Sequence, residues 1–313
     1  NAKKVFKGAK FYALRTKNKN YVIKDTKILK KKKLKKYNNI KILKNSGDAL
    51  KLKPNLTFIC NPSSKHLNDA IRFSKIKSDL FIEKPLGSSG SLTKKLIKLI
   101  KKNSLISMVG YQTRYHPYVK KIKEIILKKS FGRIVYADFR FMTYLPDHHK
   151  YENYKNSYAA RKSLGGGVVS SLIHEIDLIS YFFGQPHKVN LNKNNSKIIK
   201  IEAEDNFSSL MNFKKKNFKF DVFLRLSFSQ LKEERFFKIL FQKALVELDL
   251  IKNEIKIYSN KKKHFIKQKI KIHRNNLFYK ELLDLRKCIK SRKNPSTSIL
   301  NNFNTQKLFS KLS

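Results

Sequence analysis

Residues 164–184 read LGGGVVSSLIHEIDLISYFFG, and within them Ser170, His174, Asp177 and Tyr181 follow one another four, three and four residues apart. On an α-helix that spacing draws one stripe. The rest of the circumference is apolar, from Val168 and Val169 through Ile176 and Ile179 to Phe182 and Phe183. Such a helix is buried. Its polar stripe must therefore meet a partner or a pocket, because buried polar groups without hydrogen bonds are costly. Histidine titrates in the range that suits proton transfer near neutral pH, and an aspartate one turn beyond it could orient the imidazole or bind a hydroxyl. Upstream, Lys84 sits between Glu83 and Pro85. A bare surface ion pair there would be worth only ~0–1 kcal/mol.

The elements that must position these groups are legible in outline. Over roughly the first 110 residues, AKFYAL, LTFICN, LFIEKP and LISMVG read as short buried strands. Between them, SSKHLNDAIRFSKIK and SLTKKLIKLIKKN carry apolar residues at helical spacing. Strand–helix alternation implies an α/β fold with a doubly wound, Rossmann-like parallel sheet, whose ligands gather at the carboxyl ends of the strands. Asn61 and Pro62, Glu83 to Pro85, and Gly110 to Arg114 fall at such ends. From about residue 133 the pattern becomes long alternating segments such as RIVYADFRFMTY and FKFDVFLRLSFS. These predict an α+β part with a large, mostly antiparallel sheet covered on one face. A single helix over 168–183 is expected to cover part of it, with further helices over 275–294 and near 298–311.

Composition narrows the classes. The chain has 313 residues and a formal net charge of +49, from 71 Lys and Arg against 22 Asp and Glu. The excess is nearly all lysine, spread from end to end, and accompanied by much Asn, Ile, Phe and Tyr, the residues of A/T-rich codons. Specific nucleic-acid binding would want the charge gathered on one face, so none is expected. The tract KKKLKKYNN at 31–39 reads as a solvated helix end. No apolar run suits a membrane span and no signal peptide is visible, which together with two distant cysteines, Cys60 and Cys288, suggests a cytoplasmic setting. His148 and His149 form a loop pair with too few companions for a metal site.

Four segments, NPSSKH at 61–66, EKP at 83–85, GYQTRYHP at 110–117 and GGGVVSSLIHEIDLISYFFGQP at 165–186, resemble in order and spacing the Gfo/Idh/MocA oxidoreductases. The resemblance covers nearly the whole chain. YLPDHHKYENYKNSYAARKSLGGG points towards a branch linked to surface-polysaccharide sugar metabolism. The resemblance implies residues 1–115 as a dinucleotide-binding domain and 116–313 as a substrate and oligomerisation domain. It implies an NAD(P)-dependent oxidoreductase that moves a hydride between nicotinamide and a hydroxyl or keto group of a sugar, sugar acid or nucleotide-linked sugar. Lys84 would contact substrate and cofactor, His174 would take the hydroxyl proton, and Asp177 would support it. Tyr158 and Arg161 are candidates for holding the sugar, and the glycines at 165–167 for letting backbone approach a ligand. Asn61, Pro62, His66, Glu83, Gln112 and Arg114 are expected around the cofactor. Arg15 and Lys17, with no acid beside them, favour the phosphate of NADP. A homodimer or homotetramer through the second sheet is expected by resemblance alone.

Two departures matter. Ser171 stands where the related branch commonly carries an acid, and Ile173 where it carries a small residue. The sequence also contains no G-x-G-x-x-G, and its opening NAKKVFKGAKFYALR resembles the end of a glycine loop, a first helix and a second strand. The expectation is therefore a sheet without its usual first strand and a sequence cut at Asn1. A non-catalytic family member, binding a sugar phosphate or serving as a partner subunit, is the alternative.

Overall fold

The structure, a computed structural model, describes residues 1–14, 22–24, 27–29, 40–148, 152–260 and 265–313. In the first half, strands Leu56–Ile59, Asp79–Ile82 and Ser107–Val109 pair in parallel, and Tyr12–Leu14 pairs in parallel with Lys41–Leu43. Among the described residues no ladder joins these two sheets. Asp79–Ile82, the central strand of three, is buried at every residue, as a strand covered on both faces must be. One cover is the helix His66–Lys75, which turns Leu67, Ala70, Ile71 and Ser74 inward at three-to-four spacing. Another is Gly90–Lys102, whose first turn is capped by the Ser89 hydroxyl accepting from the Leu92 N–H.

The second half is an eight-stranded sheet in the order Phe265–Lys269, Glu254–Ser259, Ala244–Asp249, Ser229–Phe241, Ile134–Tyr144, Phe218–Ser227, Asn206–Lys215, Lys188–Asn194. Every pairing is antiparallel except that of Ile134–Tyr144 with Phe218–Ser227. Its covered face is aromatic. Phe139 stacks on its cross-strand partner Phe237 with ring centroids 4.7 Å apart, and Phe213 on Phe220 at 5.1 Å. Pairs of this kind contribute about 0.5–1.5 kcal/mol beyond the area they bury. Phe182 and Phe183 from the covering helix complete the layer against Phe139.

That covering helix is not the single element expected. It forms as Val168–Ser171 and His174–Phe183, with a break at Leu172–Ile173. A continuous helix would satisfy the Ser171 carbonyl with the Glu175 N–H; instead that N–H reaches the Leu172 carbonyl at 3.4 Å. The freed Ser171 carbonyl accepts from the Lys84 ammonium at 2.7 Å. A side chain entering the backbone ladder is one of the recognised causes of a break. The chain then returns to its first half. Helix Arg274–Ser291 packs Leu282, Leu285 and Cys288 against Val5, Phe81, Ile106 and Met108. Among the described residues no helix is long and apolar enough to cross a membrane.

Candidate active site

The strand-end turns are fastened to one another by His66. Its ring nitrogens lie 2.7 Å from the Pro85 carbonyl and 2.7 Å from the Asn61 carbonyl, so the side chain is engaged with backbone on both sides. In this position His66 braces the two turns against each other. Pro62 opens the short 3-10 turn Ser63–Lys65. Asn61 donates its amide to Asp69 at 2.7 Å, while its amide oxygen is buried with no partner, an acceptor still open at the strand end. Glu83 lies against Gly110, where a Cβ would come within 3.3 Å of the carboxylate, so a glycine suits the approach of the two strand ends. Lys84, joined to Pro85 by a cis peptide, crosses to the other half of the molecule to reach Ser171.

His174 begins the second segment of the broken helix and is 5% exposed. The Gln112 amide lies 3.1 Å from Nε2, and Nδ1 is buried with no partner. Burial pushes the imidazole well below the usual histidine range, and the positive charges of Lys84, Arg235 and Arg274 push the same way. The ring is therefore held neutral. As placed, the amide nitrogen of Gln112 donates to Nε2; with the amide turned over, a choice open to any glutamine, its oxygen would accept from Nε2–H and Nδ1 would carry the free lone pair.

Asp177 does not meet His174. Its carboxylate accepts from Arg114 Nε at 2.8 Å, from Nη2 at 2.5 Å and from the Thr305 hydroxyl at 3.1 Å. Burial pushes this carboxyl up, and Arg114 and Thr305 pull against it. Arg114 also donates to the Ser296 carbonyl and lies 4.5 Å over the Tyr181 ring. The expected support of His174 by Asp177 gives way to one buried ion pair with Arg114 that ties helix His174–Phe183 to the first half. The physical reason is that a fully buried carboxylate needs a cation, and Arg114 is the one in reach. Three of the four stripe residues thus find two different surroundings: His174 meets Gln112, while Asp177 and Tyr181 meet Arg114.

The glycines are also differently employed. A Cβ on Gly165 would lie 2.3 Å from the Ser63 hydroxyl, one on Gly166 2.2 Å from the Tyr158 carbonyl, and one on Gly167 2.1 Å from Glu204. The atoms they approach closely are those of Ser63, the Tyr158 carbonyl and Glu204. Ser63 donates towards the Gly165 carbonyl at 3.0 Å, clasping the two halves together. Tyr158 belongs to a short 3-10 turn, and Arg161 donates to Asn156 at 3.0 Å. His148 lies 2.9 Å from the Thr143 hydroxyl. Arg15, Lys17 and His149 lie outside the described residues.

Sequence reasoning missed Glu175 and Arg235. Glu175, 1% exposed, accepts from Arg235 at 2.7 Å, and Arg235 reaches on towards Thr113 at 3.4 Å. Burial pushes the Glu175 carboxyl up, against the pull of Arg235. An acid on an apolar helix was signal enough that a cation had to come from elsewhere. Its identity, on a strand some sixty residues away, was not legible.

Two models of one family match in succession. The oxidoreductase family with an NAD-binding Rossmann fold matches residues 7–111, and the GFO/IDH/MocA C-terminal domain matches residues 119–244. Over 134 residues the chain is 31% identical to the levoglucosan dehydrogenase of Pseudarthrobacter phenanthrenivorans, a match covering 42% of this chain and 34% of that protein. The matches to curated relatives cover 31–47% of those relatives' length, so the chain aligns with less than half of each. A solved levoglucosan dehydrogenase in complex with NADH and levoglucosan superposes with a TM-score of 0.77 at 16% identity, covering 87% of this chain and 81% of that one. A UDP-N-acetylglucosamine 3-dehydrogenase from Acidithiobacillus ferrooxidans gives a TM-score of 0.71 at 16% identity, covering 89% and 83%. At these identities the likeness is one of fold. With a Rossmann-like half, a large antiparallel half and tandem matches to both of its domain models, the chain belongs to the Gfo/Idh/MocA family of oxidoreductases.

Proposed function

We propose that the protein oxidises a sugar hydroxyl, or reduces the corresponding ketone, with a nicotinamide cofactor. The observation that carries this reading is the convergence of Lys84 and His174. The lysine is anchored on the carbonyl of Ser171, three residues before the histidine, and its charge acts on the imidazole. The open acceptor on Asn61 and the strand-end residues Pro62, Glu83 and Lys84 would hold the nicotinamide end of the cofactor. When bound, that cofactor accepts or returns the hydride. The chain's own residues handle the proton. In oxidation the carbinol C–H leaves as hydride while neutral His174 takes the O–H proton at Nδ1, and the Lys84 ammonium stabilises the developing negative charge on oxygen. Gln112 holds the ring in place. Tyr158 and Arg161 would hold the sugar.

The finer assignments belong to the same reading. Sugars, sugar acids and nucleotide-linked sugars all offer the required carbinol, and a role in surface-polysaccharide metabolism follows from the branch resemblance. Arg15 and Lys17 favour NADP. A homodimer would cover the outer sheet face, where Phe223 is 45% exposed. A cytoplasmic site would supply the cofactor. A second reading, the non-catalytic member, is favoured by Ser171, whose hydroxyl is buried without a partner where relatives carry an acid. Calorimetric titration of NADH and NADPH separates the two. Binding of either, followed by turnover of any sugar in a screened panel, is the expected result; binding of neither would favour the second reading.

A further inference from the structure

A cleft of about 790 Å³ opens between the two halves beside the Lys84–His174 pair, and neither of those residues lines it. Its size falls within the ~300–1,000 Å³ typical of small-molecule sites. Among its side chains, those of Ser64, Lys162, Ser170, Lys193, Asn194 and Glu202 make no hydrogen bond or ion pair with the described residues. Ser170 is the telling one, since it is only 8% exposed and its hydroxyl still has no protein partner. The cleft also abuts the candidate site on both walls. Pro85, which lines it, follows Lys84, and Ser170 precedes Ser171, whose carbonyl holds the Lys84 ammonium.

We propose that this cleft receives a second, uncharged sugar unit, so that the substrate is a glycoside or oligosaccharide and not a lone monosaccharide. The inference rests on the sugar-oxidoreductase reading above and adds the substrate's extent. These groups are a mixed set, with two ammonium donors, one carboxylate acceptor, and two hydroxyls and one amide that do both. Sugar hydroxyls donate and accept in the same way. A phosphate would find the two lysines but would also face the Glu202 carboxylate, a like charge. A unit seated here lies beside Pro85, next to Lys84, on one wall and beside Ser170, four residues before His174, on the other, where the ring linked to the oxidised one would fall.

Binding tests this without turnover. The full chain is titrated with glucose, cellobiose, maltose and UDP-glucose, as wild type and as Lys193→Ala and Glu202→Gln. The expected result is tighter binding of a disaccharide than of glucose, weakened about tenfold by either substitution while glucose binding is unchanged. Three results would overturn the proposal. One is no disaccharide binding more tightly than glucose. Another is UDP-glucose binding that Glu202→Gln strengthens, the sign of a phosphate site. The third is a loss of NADH affinity in these variants, which would make the cleft part of the cofactor site. A chain that binds disaccharide through Glu202 yet never reduces a nicotinamide would sink the oxidoreductase reading and leave the subsite standing.

Discussion

Two polar positions one turn apart on the helix His174–Phe183 carry groups of opposite kinds. At Asp177 every acceptor is filled by Arg114 or Thr305, the surroundings are closed, and charge meets charge. At His174, one turn earlier, the ring is neutral, one nitrogen is unpartnered, and the nearby cations push its proton away. A completed ion pair holds structure; an uncompleted neutral base is available for a reaction. The same apolar helix carries both, so being buried and polar does not by itself mark a catalytic group. What differs is whether the protein has already supplied the partner.

That contrast can be broken from either side. The largest structural effect is expected at the closed position. Arg114→Ala leaves the Asp177 carboxylate buried without its cation and is expected to destabilise the fold by about 3–5 kcal/mol, measured by denaturant unfolding. His174→Ala should leave stability much closer to wild type. Equal losses from the two would erase the distinction between them.

A smaller effect sharpens the open position. Because burial and then Lys84, Arg235 and Arg274 depress the His174 pKa, the neutral base persists below the usual value of 6.5. The acid limb of kcat/KM for alcohol oxidation should therefore lie below that value. Replacing Lys84 by Met removes a repelling cation, raises the histidine pKa and moves the limb to higher pH. The same depression links to stability: below pH 6.5 the unfolded chain binds a proton that the folded ring refuses, so this contribution falls as pH falls. A wild-type limb at or above 6.5 would contradict the neutral-base account.

The smallest expected effect concerns a carboxyl that belongs to neither position. Glu281 is fully buried and both its oxygens lack partners. Burial first, then Glu83, Asp177 and Asp284, push its pKa well above the ordinary carboxyl value of 4.5. Its proton is retained in the fold and lost from the unfolded chain, so stability declines as pH rises from 4.5 towards the folded value. Glu281→Leu should raise stability by about 1–3 kcal/mol near neutral pH, with a smaller gain in acid. Thermal melts at two pH values read the difference.

What the sequence disclosed and what it withheld divides along the same physical line. Alternation of apolar runs is a local property, so the parallel strands at 56–59, 79–82 and 107–109 and the long antiparallel sheet were legible. Lys84 and His174 were legible as residue types on apolar elements. Their neighbours were not, because pairing is decided by the fold. Nothing near Asp177 announces Arg114, 63 residues away, and nothing in Leu172–Ile173 announces a helix break stabilised by a lysine 87 residues upstream. The glycines at 165–167 were legible as sites of close approach, but that Ser63, the Tyr158 carbonyl and Glu204 are what they approach was not.

The most direct measurement is the turnover of His174→Ala and Asp177→Asn beside wild type, using whichever sugar and cofactor the wild type uses fastest and with each variant's folded fraction measured. The account predicts that His174→Ala lowers kcat by about 10²–10⁴-fold while remaining folded. It also predicts that folded Asp177→Asn keeps most of its rate. A His174→Ala enzyme at wild-type speed, or a folded Asp177→Asn enzyme as slow as His174→Ala, would contradict it.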